Sequence, residues 1–276
     1  MSEPGQLSSA TEPMRFDSRL ANVARIYDVL LGGKDNYAAD REAARRLVEA
    51  VPDAQRAARD NRAFLGRAVR FLAADAGIGQ FLDIGTGLPT RGSVHDIAQS
   101  VNPDARVIYC DNDPVVMAHA RALLADTPDV EAVEGDVRYP RHLLTLPAVR
   151  DLIDFSQPVA VLLVAVLHFV PDSDSPWSAV RCITEHMAPG SYLVISHVTG
   201  DEITDDAARQ AREIYDGALV RGTVRSRGDI ARFFNGMDLI DPGLVDAAAW
   251  RSGRRRESSR PVLFYAGIGC TQGGPA

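Results

Sequence analysis

Hydrophobic positions in the first quarter of the chain recur at helical spacing. Val23, Ile26, Tyr27, Leu30 and Leu31 fall three or four residues apart, which predicts a helix over 20–31 with one buried face. Gly32-Gly33 ends it, since glycine accepts the left-handed conformation that closes a helix. A second helix is expected over 36–50, stopping ahead of Pro52. A third is expected over 54–74, with Phe64, Leu65, Ala68, Val69, Phe71 and Leu72 as its apolar stripe. From residue 80 the period changes. Short apolar runs predict strands at 80–84, 106–110, 130–133, 159–164, 192–196, 236–239 and 262–266. Helices fit between them at 93–100, 114–125, 143–153, 178–187, 205–219 and 228–234. This alternation predicts an α/β fold with a mostly parallel sheet covered on both faces. The last two strands, joined by an Arg-rich connection, read as a terminal hairpin, so the last strand is expected to be antiparallel.

Length and composition narrow the picture. The 276 residues suit one large domain with an extension: a polar tail over 1–14, a helical cap or lid over 15–78, and a sheet domain over 79–276. Hydrophobic content of 46% and charged content of 24% are those of an ordinary globular chain. Cys110, Cys182 and Cys270 lie far apart and form no CxxC pair, which points to neither a disulfide framework nor a metal site and fits a reducing cytoplasm. The amino terminus lacks the basic start and apolar core of a signal peptide. The longest apolar run, over 159–170, falls short of the ~20 residues that a membrane helix needs. A net charge of -7 argues against nucleic acid as the main partner.

The chemistry concentrates after the first strand. In an open α/β sheet, ligands bind beyond the carboxyl ends of the strands, where the strand order reverses. Here the first strand ends in Asp83-Ile84-Gly85-Thr86-Gly87, and glycines let the backbone turn sharply and approach a ligand. The second strand ends at Asp111-Asn112, where an acid can accept two hydrogen bonds from the hydroxyls of a ribose. After the third strand come Asp136 and Val137, placed to meet an adenine amino group and a ring nitrogen. Asp113, ahead of Pro114, reads as a helix cap. A dinucleotide fingerprint requires G-x-G-x-x-G, and its third position is Thr90, reached through Leu88-Pro89. The acid before the first glycine and the Asp136 loop favour S-adenosylmethionine (SAM) over NAD, because the methionine ammonium of SAM needs an acid.

The segments DIGTG, CDNDP and EGDVR are similar to motifs of class I SAM-dependent methyltransferases. ARIYDVLLGGKDNYAADRE together with FLDIGTGLPTRGSVHDIAQ resembles, more narrowly, the S-adenosyl methyltransferase family first described as a domain of unknown function and widespread in actinobacteria. The resemblance covers nearly the whole chain. It implies a seven-stranded, Rossmann-like methyltransferase sheet over 79–276, SAM as cofactor and S-adenosylhomocysteine (SAH) as product. The superfamily pattern carries a third glycine in its first motif, where this chain has Pro89.

On the acceptor side, the fourth strand exits through Ala165 to Phe169, near the expected methyl position, with Ala165 lining it and His168 as a candidate base. No Asn/Asp-Pro-Pro-Tyr element is present there, which argues against amino nitrogens of nucleobases. His197 follows the fifth strand, and His95 lies inside a helix. Tyr27, Lys34, Asn36 and Tyr37 concentrate hydrogen-bonding groups on one short segment and suggest a lid over cofactor and substrate. The run Arg251-Ser-Gly-Arg-Arg-Arg lacks interleaved aromatics and reads as a solvated loop. The expectation is a cytoplasmic SAM-dependent methyltransferase acting on a small-molecule acceptor. The competing expectation is a SAM-binding sensor without catalysis.

Overall fold

Asn22 starts the first helix, because its side-chain oxygen accepts the Ala24 and Arg25 N–H groups at 2.9 and 3.2 Å. That cap fixes α1 as Val23–Leu31, three residues later than the apolar pattern suggests, and Gly32 closes it at φ 81°. The computed structural model describes residues 17–89, 92–124, 127, 129–218, 220–253 and 260–272. The expected tail over 1–14 and the Arg254 to Arg256 part of the basic run lie outside them.

Two helices follow, α2 (Ala38–Ala50) and α3 (Ala54–Ala74). A buried ion pair joins α1 to α2: Arg25 Nε donates to Asp40 Oδ2 at 2.7 Å. The same carboxylate accepts the Asn22 N–H at 2.9 Å and the Tyr37 N–H at 2.8 Å, so one acid organises the start of both helices. Ile26, Leu30, Ala44, Leu47 and Ala58 form a small separate core with Ile214 and Ala218.

The rest alternates strand and helix: β1 (Gln80–Ile84), α4 (Val94–Val101), β2 (Arg106–Asp111), α5 (Pro114–Leu124) and β3 (Val130–Glu134). Then come α6 (Pro140–Leu144), α7 (Pro147–Leu152), β4 (Ala160–Val164), α8 (Pro176–Thr184) and β5 (Tyr192–Val198). The chain ends with α9 (Asp205–Gly217), α10 (Arg227–Ala231), β6 (Met237–Leu239), β7 (Val245–Asp246) and β8 (Phe264–Thr271). One sheet has the order β3-β2-β1-β4-β5-β8-β6, with β7 paired to β8. Its first five strands are parallel, and β8 runs antiparallel to β5, β6 and β7.

The structure differs from the sequence expectation in three places. The helix expected over 143–153 is two short ones, because Pro147 lacks an N–H and starts α7 afresh. The last strand, expected over 262–266, runs from Phe264 to Thr271. A Cβ on Gly269 would lie 2.9 Å from Phe234 Cδ1, so glycine there permits close packing. The two-residue β7 is an extra pairing, which makes eight strands.

Successive residues of β1 enter opposite cores. Phe81 packs with Phe64, Leu72, Val107 and Trp250 on the face covered by α3. Leu82 and Ile84 pack with Ile108, Leu143 and Leu163 on the other. Among the described residues, no helix is long and apolar enough to cross a membrane.

Candidate functional site

The strand order reverses between β1 and β4, so their carboxyl ends open onto a crevice. A cavity of about 600 Å³ lies there, walled on one side by the strand ends and on the other by α1, α2, α3 and α9.

Asp83 lies one residue before the end of β1, on the face that carries Phe81 and Tyr109. Thr86 Oγ1 donates to its carboxylate at 3.1 Å. Burial pushes its pKa up to about 7, partly relieved by that hydrogen bond and by Arg62. Gly85 follows at φ 73°, its N–H donating to Cys110 O at 2.8 Å. A Cβ on Gly85 would sit 2.3 Å from Val166 Cγ2, so the turn closes tightly against the loop after β4. At Gly87, φ 66°, the same test meets nothing within 4 Å, leaving free space beside a backbone that lines the cavity.

Asp111 ends β2, one strand along. Its Oδ2 accepts the Gly87 N–H at 2.9 Å and its Oδ1 accepts the Asp113 N–H at 3.0 Å. Burial raises its pKa to about 6 against these hydrogen bonds. Each oxygen retains a lone pair for a ligand hydroxyl. Asp113 caps α5 through the Val115 N–H at 2.7 Å and also accepts from the Asn22 side chain, tying α1 to the sheet. Asp136 follows β3 beside Val137, and both line the cavity. Burial opposes its ionisation, but hydrogen bonds from Arg138 and Asn112 outweigh that and hold its pKa below the usual value.

The loop after β4 is held unusually. Ala165 takes φ 58° and donates its N–H to Ser196 O and Oγ at 3.1 and 3.0 Å. His168 lines the cavity and packs against Phe169 and Phe264, with ring centroids 4.2 and 5.9 Å away. Burial lowers its pKa well below the usual value, helped by neighbouring His197 and Arg225, so the ring is neutral. Its Nδ1 has no hydrogen-bond partner. His197 has both nitrogens engaged, Nδ1 with Val198 O at 2.6 Å and Nε2 with Arg225 Nη1 at 2.7 Å. Burial brings its pKa down to about 3. His95 packs beside Tyr109, whose hydroxyl lies 2.9 Å from its Nδ1.

Tyr27 belongs to the cavity wall, whereas Lys34, Asn36 and Tyr37 lie outside its lining. Asn36 serves the turn instead: its Nδ2 donates to Asp28 Oδ2 at 2.9 Å and to Gly33 O at 3.1 Å. Arg251 lies over the Phe71 ring, 4.0 Å from its centroid. Two wall and support residues escaped the sequence reading. Asn61, a polar residue on the apolar stripe of α3, is 1% exposed and lines the cavity. Arg225 donates to Leu167 O, Val170 O and Asp172 Oδ1 at 2.9, 2.8 and 2.6 Å, so it clamps the turn that carries His168. The signal for Asn61 is its place in the stripe. Arg225 carries none in the sequence.

Strand order, an acid-glycine turn and acids at three adjacent strand ends define the class I methyltransferase fold. The chain belongs to the S-adenosyl methyltransferase family, whose profile matches residues 9–272. It is accordingly a SAM-dependent methyltransferase. A candidate methyltransferase from Thermobifida fusca YX, solved by crystallography, is 41% identical, with a TM-score of 0.88 over 96% of this chain and 100% of that one. A DUF574 family protein from Streptomyces avermitilis is 37% identical, with a TM-score of 0.87 over 93% of this chain and 100% of that one. The CMeT domain of the citrinin polyketide synthase shares the fold alone, at 14% identity and a TM-score of 0.55 over 91% of this chain and 60% of that one. No protein of curated function matches the chain.

Proposed function

We propose that the chain methylates a small molecule in this cavity. The observation that carries the reading is the set of acids at adjacent strand ends facing one space: Asp83, Asp111 and Asp136 all line it. Carboxylates accept hydrogen bonds, and SAM presents donors of matching kind in its ammonium, ribose hydroxyls and adenine amino group. Asp83, with Gly85, Thr86 and Gly87, holds the methionine end. Asp111 and Asn112 hold the ribose, and Asp136 with the Val137 N–H holds the adenine. Bound SAM supplies a methyl group on a sulfonium, open to in-line attack.

The chain's own contribution is alignment and exclusion of water. The strained turn at Ala165 and the clamped His168 form the wall at the methyl position. A neutral, buried His168 is a poor proton acceptor, so it hydrogen-bonds and orients the acceptor rather than stripping a proton early. Acceptor space lies toward α1, α2, α3 and α9, where Leu30, Leu47, Ala57 and Ala211 make an apolar wall. A cavity of about 600 Å³ that must also house the cofactor leaves room for a small body.

The test is labelled SAM incubated with the protein and fractionated cell extract. Label appearing in the low-molecular-mass fraction supports the reading. Label appearing only in protein or nucleic acid contradicts it.

A further inference from the structure

Buried polar atoms without partners are rare in folded proteins, and each calls for an explanation. Among the described residues three side-chain atoms qualify: Asn61 Oδ1, His168 Nδ1 and Trp250 Nε1. Trp250 sits in the core beside Phe64 and Phe71, outside the cavity lining. Asn61 and His168 both line the cavity, one on the helical wall and one on the strand-end wall.

The orientation of the Asn61 amide follows from donor and acceptor chemistry. The Tyr27 hydroxyl lies 3.0 Å from Ala58 O, a carbonyl that can only accept, so the hydroxyl hydrogen points there. The phenolic oxygen is left to accept, and only the amide nitrogen of Asn61 can donate to it, at 2.9 Å. Oδ1 is therefore the free atom, a bare acceptor in a buried position. Tyr27, itself anchored on Ala58 O, holds the amide nitrogen, so the amide cannot turn without breaking this chain of bonds. Around the cavity are aromatic side chains, Tyr27, Phe169, Tyr215 and Phe264, and Phe169 packs edge-on to Tyr215 with centroids 5.4 Å apart.

We propose that Asn61 determines acceptor specificity: its Oδ1 accepts a hydrogen bond from a hydroxyl or amino group borne by an aromatic, otherwise apolar acceptor. This rests on the reading that the Asp83–Asp111–Asp136 side of the cavity holds SAM. A site built around a bare acceptor discriminates against a ligand that lacks the donor, because the buried oxygen then stays unpaired. The Tyr27–Asn61 pair is thus a preformed reader of one polar group within an apolar pocket. His168 faces the same space from the strand ends as a neutral ring.

The test uses the full chain saturated with SAH and two probes of nearly equal shape, 2-naphthol and 2-methylnaphthalene, followed by their fluorescence. The wild type is expected to bind 2-naphthol at least about tenfold more tightly. In Asn61→Leu the preference is expected to vanish while SAH affinity stays within about twofold. Asn61→Asp, which keeps an acceptor oxygen, is expected to retain the preference. Equal binding of the probes by the wild type, binding of neither, or an unchanged preference in Asn61→Leu overturns the proposal. Loss of SAH affinity in Asn61→Leu also overturns it, because Asn61 would then serve the cofactor. SAH titration of the wild type separates the two levels: no binding there defeats the cofactor reading itself.

Discussion

Asp111 Oδ2 accepts the backbone N–H of Gly87 at 2.9 Å, so the acid at the end of β2 braces the glycine turn that follows β1. The same carboxylate orders Asp113 through its other oxygen, and Asp113 reaches the cap of α1. The strand-end wall and the helical wall of the cavity are therefore mechanically joined through Asp111, Asp113 and Asn22.

Cofactor binding should depend on pH through Asp83. The carboxyl has a pKa pushed up to about 7, and its ionised form is the one that pairs with an ammonium. Affinity for SAM is expected to be full at pH 8 and about tenfold weaker at pH 6 from this group, because binding below the free-state pKa must release a proton. Calorimetry across this range checks it. An equal slope in Asp83→Asn would assign the dependence to another group.

The two glycines of the turn should respond differently to alanine. Both have positive φ, but a Cβ on Gly85 meets Val166 Cγ2 at 2.3 Å whereas one on Gly87 meets nothing within 4 Å. Gly85→Ala is expected to cost about 1–3 kcal/mol more stability than Gly87→Ala, by overpacking. Thermal unfolding of the two variants measures the difference. Gly87→Ala is expected to act mainly on SAM affinity, since its Cβ enters the ligand's space.

The buried Arg25–Asp40 pair should be a structural keystone. Asp40 is 0% exposed and also holds the N–H groups of Asn22 and Tyr37. Removing one partner of such a pair leaves an uncompensated charge, so Asp40→Ala is expected to lose about 3–5 kcal/mol. Urea denaturation provides the value. A loss below about 1 kcal/mol would show that the pair behaves like a surface contact.

The buried histidines after β4 and in β5, His168 and His197, should stay neutral. Burial brings the His197 pKa down to about 3 and holds His168 well below its usual value. Neither ring resonance is expected to shift in NMR spectra recorded from pH 8 to pH 5, apart from small effects of neighbours. A titration of His168 with a midpoint near the ordinary ~6.5 would restore it as a general base.

The acids and glycines of the site were legible in the sequence because strand ends are positioned by local pattern. Once β1, β2 and β3 are placed, the residues after them have little freedom, and Asp83, Asp111 and Asp136 follow. The acceptor wall was less legible. Asn36 looked like a lid residue, yet it spends its amide on Asp28 and Gly33 within its own turn. Asn61 and Arg225 act through partners distant in sequence, Tyr27 and His197, and local spacing carries no trace of such pairs. The end of the last strand was missed for a related reason: Gly269 sits where the Phe234 and Met237 side chains approach closely, a tertiary contact with no local signature.

We assign the cavity at the ends of β1, β2 and β3 as the SAM site. Calorimetric titration of SAM, SAH and NAD into the wild type and Asp111→Ala tests that assignment. SAM and SAH are expected to bind the wild type, NAD to be rejected, and the variant to bind SAM about a hundredfold more weakly, the loss of two hydrogen bonds to a charged group. Preferential binding of NAD, or unchanged SAM affinity in Asp111→Ala, would contradict it.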